Sequence, residues 1–296
     1  MKQQWYGGDF GLQARMLITM GLLALLYMAF MAAMFAAGFD SIFIVILAIG
    51  MLGFQYFFSD RLVLASAGAR EVEPGQAPEL HAVIDRLVQS ADLPKPKVAI
   101  IDSPMPNAFA TGRSPGHAAV AVTRGLLETL TPQELEAVLA HELAHIKNRD
   151  VMVMTLASFF ATVAQFVLRG QMWGAGGGRG RRNNGGVMLF FLVALVVWAL
   201  SFVLIRALSR YREFSADRGA ALLTGSPAAL QSALLKVSNS MQQVPQRDLR
   251  EMQGLNAFFI VPAHVQKSIM ELFSTHPSLE KRIAYLDTIA SEMEHY

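Results

Sequence analysis

The sequence predicts a mainly α chain with a small β-sheet (α+β) and transmembrane helices. Three observations carry this reading. Residues are 53% hydrophobic and only 16% charged, outside the range of ordinary soluble domains. Apolar runs of near-spanning length alternate with stretches of soluble composition. Within the soluble stretches, short β-rich runs lie among segments with helical periodicity.

The first element runs from Met16 to Ala37 and is apolar except for Thr19. At about 1.5 Å per helical residue, it is long enough to cross a hydrocarbon core of about 30 Å. Gly38, Phe39 and Asp40 make a turn, and Ile42 to Phe58 supplies a second run, so residues 1–58 read as a transmembrane hairpin. A cleavable signal peptide is the alternative, with Ala33, Ala36 and Ala37 as small residues for a cleavage site, but the apolar run exceeds an ordinary signal core. Lys2 and Arg15 precede the hairpin, Arg61 and Arg70 follow it, and its tip has no Lys or Arg. The positive-inside rule therefore places both ends in the cytoplasm.

Residues 59–150 read as the first part of a cytoplasmic domain, opened by the loop residues Pro74, Gly75 and Pro78. Leu80, Val83, Ile84, Leu87 and Val88 give Pro78 to Ala91 a helical period. Lys97 to Ile101 and Ala118 to Thr123 read as strands, with Asn107 to Gly112 as a third. Thr131, Pro132 and Glu134 open a strong helix: an N-cap, a proline at the first position and a capping-box glutamate.

Val151 to Leu168 and Val187 to Ile205 form a second hydrophobic pair, residues 151–205, around a Gly-rich loop with Arg169, Arg179, Arg181 and Arg182. Two true crossings would put those arginines outside, against the positive-inside rule, so whether this pair fully spans stays open. Residues 206–296 are again soluble in character and supply the second part of the cytoplasmic domain, with Pro277 to Ile289 as a last amphipathic helix.

The helix opened by Thr131 contains His141, Glu142, Leu143, Ala144 and His145, an H-E-x-x-H pattern. Residues four apart share a helix face, so the two imidazoles can converge on one metal ion. A bound zinc supplies Lewis acidity that makes water nucleophilic near neutral pH. Glu142, beside the metal, is the candidate catalytic base, able to take a proton and return it to a leaving amine. Two helical histidines can also be bystanders; the helical context and a suitable third ligand weigh against that.

Glu213 is the candidate third metal ligand. Within Tyr211 to Asp217 it shares a helical face with Asp217, so one carboxylate can bind metal while Asp217 orients a ligand histidine. A solvated charged face is the plain alternative. Topology adds a condition: His141 and Glu213 must lie on the same side of the membrane, so an even number of crossings must separate them. Arg206, Arg210 and Arg212 after the last apolar run favour the cytoplasm.

At these residues the chain resembles the HtpX family of bacterial inner-membrane zinc metalloproteases, gluzincins related to CAAX prenyl endopeptidases. The resemblance covers the hairpin, NAFATG from Asn107 to Gly112, HELAHIKNRD, the later hydrophobic pair, EFSAD with Glu213 and Asp217, and the THP of Thr275 to Pro277. It implies a zincin-like metalloprotease domain holding one Zn2+ per chain. It further implies a multi-pass, cytoplasm-facing endopeptidase of the inner membrane that cleaves misfolded or damaged membrane proteins in stress-linked quality control. By the same resemblance, Asn107, Ala108 and Phe109 belong to an edge strand that binds substrate by strand addition, or else to an ordinary turn. His276 and Arg282 could approach the transition-state oxyanion, or His276 simply precedes a Pro-initiated helix.

Composition excludes some functions. The formal charge of +2 comes with no nucleic-acid-binding signature, and with no cysteine neither disulfides nor thiolate metal sites are available. The expected partners are the lipid bilayer and protein substrates; the oligomeric state is not legible. Two rivals remain: a prenyl-protein endopeptidase, expected to have more spans than the four visible, and an inactive zinc-binding membrane scaffold or chaperone, against which the intact Glu142 argues.

Overall fold

The computed structural model describes residues 10–36, 63–154, 184–243 and 276–294, with isolated positions 46, 49, 50, 53, 57 and 157. Most of the second half of the first hairpin, most of Val151 to Leu168, the Gly/Arg-rich loop and Thr275 lie outside the described residues.

Helix α1 (Phe10–Ala36) begins six residues earlier than its apolar run requires. Strand β1 (Arg70–Glu71) precedes α2 (Pro78–Ala91), whose predicted apolar stripe buries Leu80, Ile84, Leu87 and Val88. Asp92 ends α2 in the left-handed region at φ 51°, its N–H turned back to carbonyls of the last turn. Strands β2 (Lys97–Ile101), β3 (Ala108–Gly112) and β4 (Ala118–Thr123) follow, then the short α3 (Arg124–Thr129). Asn107 therefore stands one residue before its strand, because its N–H and carbonyl engage Thr123 at the end of β4.

The sheet order is β1-β2-β4-β3. β2 and β4 run parallel, while β1 and β3 pair antiparallel at the two edges. β4 is buried along its whole length. Side chains alternate as the pleat demands: Val98, Ala108, Val120 and Val122 enter the main core. Ala99, Ile101, Phe109 and Ala121 face the other way and are covered by Val63, Leu64, Ala67 and Ala69.

Helix α4 (Pro132–Lys147) is the helix predicted from its cap: Thr131 Oγ1 accepts from the Glu134 N–H, and the Glu134 carboxylate accepts from the Thr131 N–H. An unbroken run from Ala137 to Ala144 is buried, because α4 packs between the sheet and the long helix α5 (Asn184–Thr224), with α6 (Pro227–Gln243) on a further side. The last helix, α7, spans Leu279–Glu294 rather than Pro277 to Ile289. Its first turn is built on the Ser278 carbonyl, which accepts from the Arg282 N–H, and it continues past Ile289 because Met293 still packs on the core.

Within Phe10–Ala33 of α1 and Leu192–Thr224 of α5 lie 18-residue stretches apolar enough to cross a membrane, with mean hydropathies of 2.1 and 2.3. The two helices pack together through Leu23, Tyr27 and Leu208, and the Tyr27 hydroxyl donates to the Ala157 carbonyl. Their outward faces expose Leu17, Leu25, Met28, Leu192, Val196 and Leu200, an apolar surface suited to lipid rather than water.

Candidate metal centre

Three polypeptide segments meet at one point. On the buried face of α4, one turn separates His141 from His145, and their Nε2 atoms approach to 3.2 Å with the rings nearly perpendicular. Helix α5 places Glu213 opposite, with Oε2 3.6 Å from His141 Nε2 and Oε1 3.5 Å from His145 Nε2. The tail before α7 adds His276, whose Nδ1 is 3.2 Å from Glu213 Oε2.

The outer nitrogens of both imidazoles face carboxylates. His141 Nδ1 lies 3.0 Å from Asp217 Oδ1, and His145 Nδ1 lies 2.6 Å from Asp150 Oδ2. With protons on the Nδ1 atoms, both Nε2 lone pairs point into the gap before Glu213. Two lone pairs and a carboxylate so close together repel one another unless a cation lies among them. The His141 imidazole reports the same preference. Burial pulls its pKa down, but Asp217 and Glu213 outweigh burial and hold it up at about 9.

Separations fit as well. A tetrahedral zinc with bonds of about 2.0 to 2.1 Å sets its ligand atoms about 3.3 to 3.4 Å apart, close to the 3.2, 3.5 and 3.6 Å seen here. His141, His145 and Glu213 form the group among the described residues that could hold a metal ion.

Glu142, on the turn between the histidines, is buried and accepts a 2.8 Å hydrogen bond from the Ala110 N–H to its Oε2. Burial raises its pKa above the usual carboxylate range, against the pull of His141 and His145. Ala110 belongs to the edge strand β3, so the carboxylate and the open edge of the sheet are adjacent.

Asn107 and Ala108 are buried beside this edge, and Phe109 is buried on the sheet's far face. Arg282 lies behind His141, not in the open: its Nε and Nη2 donate to Asp217 at 2.9 and 2.5 Å, and its Nη1 is 3.7 Å from Glu213. Two residues that sequence reasoning did not single out also reach the site. Asp150 follows the end of α4, five residues after His145, a spacing that was the available signal. Arg212, visible in the sequence only as a positive charge after an apolar run, stands 3.1 Å from Asp150.

A buried helix carrying H-E-x-x-H beside a sheet edge, with a carboxylate from a helix that has a membrane-length apolar half, defines a membrane metallopeptidase of zincin-like build. The chain belongs to peptidase family M48, whose family model matches residues 74–290. It is 61% identical over 291 residues to "Protease HtpX homolog" of Moorella thermoacetica, covering 97% of both chains. It is 53% identical over 294 residues to "Protease HtpX homolog 2" of Methanosarcina acetivorans, covering 99% of this chain and 100% of the relative. Among solved structures it resembles S. mikatae Ste24p, with a TM-score of 0.56 at 18% identity, over 93% of this chain and 67% of the other. That likeness is one of fold.

Proposed function

We propose that the chain is a zinc-dependent endopeptidase that cleaves misfolded or damaged membrane proteins at the cytoplasmic face of a bacterial inner membrane, as part of stress-linked quality control. The observation that carries this reading is the placement of Glu142 between the converging His141, His145 and Glu213 and the N–H of edge residue Ala110. His141, His145 and Glu213 would hold the zinc. Bound there, zinc supplies Lewis acidity toward water and the substrate carbonyl.

The remaining steps belong to the chain. A substrate segment in extended form adds to the outer edge of β3, near Asn107, Ala108 and Phe109, through main-chain hydrogen bonds. Glu142 takes the proton of the attacking water and delivers it to the leaving amine. His276, whose ring stands beside Glu213, is assigned as the donor to the charge that develops on the substrate carbonyl. Asp217 holds His141, and Arg282 acts through Asp217. Lipid-facing α1 and α5 keep the site at the membrane surface, where unfolded membrane segments present extended backbone.

The test uses full-length protein in detergent, loaded with zinc and offered one membrane protein in native and destabilised forms. Cleavage of the destabilised form by wild type, and none by Glu142→Gln, supports the reading. Equal cleavage by both removes Glu142 as the base, and no cleavage by either favours a metal-binding scaffold.

A further inference from the structure

The two imidazoles are held by matching chains of groups drawn from different segments. His141 meets Asp217, which meets Arg282. His145 meets Asp150, which meets Arg212. Asp150 comes just after the end of α4: Asn148 caps the helix, Arg149 takes a left-handed φ of 55°, and the Asp150 carboxylate lies 2.6 Å from the His145 ring.

The carboxylate of Asp150 is 1% exposed. Its two oxygens are engaged on opposite sides, Oδ2 2.6 Å from His145 Nδ1 and Oδ1 3.1 Å from Arg212 Nε. Burying a charged pair is expensive in desolvation and adds little net stability by itself. What it provides here is a fixed carboxylate 2.6 Å from Nδ1, which orients the ring so that Nε2 faces Glu213. Arg212 is the residue next to Glu213 on α5. One turn of that helix therefore brings in the carboxylate and anchors the imidazole opposite it.

We propose that Asp150 and Arg212 are positioning residues for the metal centre, with Arg212 acting on His145 only through Asp150. This rests on His145 being a metal ligand. The experiment measures the zinc dissociation constant of full-length protein in detergent, by competition with a chromophoric chelator, and the visible absorption of the cobalt-substituted protein.

His145→Ala serves as the reference, and its failure to weaken zinc would sink the ligand assignment itself. Given that loss, Asp150→Ala is expected to weaken zinc about 10- to 100-fold and to alter the cobalt bands. Asp150→Asn, which keeps shape and an acceptor, is expected to recover part of the affinity and covers the case in which the alanine variant does not fold. Arg212→Ala is expected to weaken zinc less than Asp150→Ala, and to add nothing in the Asp150→Ala or Asp150→Asn background. Wild-type affinity and cobalt spectrum in both Asp150 variants would overturn the proposal. So would additive losses in the double variant, which would show Arg212 acting elsewhere.

Discussion

The Oε2 of Glu142 accepts a 2.8 Å hydrogen bond from the backbone N–H of Ala110, tying the helix that carries H-E-x-x-H to the edge of the sheet. An amide oxygen can accept the same bond, so Glu142→Gln preserves the contact and removes the titrating group. The variant is expected to keep its zinc content and thermal midpoint while peptide cleavage falls by about 10²- to 10⁴-fold. Metal analysis, melting and cleavage on one preparation check this. Loss of metal together with activity would move Glu142 from a chemical role to a structural one.

Glu213 is the carboxylate facing both Nε2 atoms, and it arrives from a helix far along the chain. Glu213→Gln keeps its volume but replaces the anion, so metal per protein is expected to fall well below one. A metal ion that binds only the folded chain would stabilise it by an amount that grows with the logarithm of its affinity, about 4 kcal/mol at a free concentration 1,000 times the dissociation constant. The rise in melting temperature on adding zinc should therefore shrink sharply in Glu213→Gln. An unchanged zinc response would remove Glu213 from the ligand set.

Local patterns were legible where one segment decides its own structure. Thr131, Pro132 and Glu134 announce the start of α4 by capping chemistry alone, and the apolar spacing of Leu80, Ile84 and Leu87 announces α2. Strand order was not legible, since β2 pairs with β4 and leaves β3 outside it for reasons of tertiary packing. The start of the final helix was misplaced because Pro277 reads as a first-turn proline, whereas the Ser278 carbonyl opens the turn. At the site, the spacing of His141 and His145 is intrinsic to a helix. The partnership of Asp150 with Arg212 joins segments 62 positions apart, and no local rule encodes it.

Glu134 gives the fold a measurable response to acid. Burial raises its pKa, but Lys236, Ser232 and Thr131 donate to it and together bring it down to about 2, from an ordinary value of 4.5. A folded-state pKa below the unfolded one adds stability that is complete above about 4.5 and is lost as pH falls toward 2. With Lys236 42% exposed, solvent screening reduces the contribution to about 1 to 2 kcal/mol. The stability gap between wild type and Glu134→Gln should be of that size at pH 7 and close toward pH 2. A gap independent of pH would mean that packing, not charge, is what Glu134 supplies.

Two glycines near the sheet edge should differ in their response to alanine. Gly112 ends β3 at φ +134°, a region that side chains avoid, and an added Cβ would run into the backbone at His117 and Ala118. Neither obstacle is a flexible side-chain tip, so Gly112→Ala must displace the end of the strand whose Ala110 N–H holds Glu142. Strain in such a conformation costs about 1 to 3 kcal/mol before any overlap is counted. Gly116, four residues on, has open space around the same added atom, and its alanine variant should melt within a degree or two of wild type. Cleavage should fall in Gly112→Ala even below its melting range, because the base loses its fixed partner. Full activity with only a lowered melting temperature would show that the edge strand does not need its observed position for catalysis.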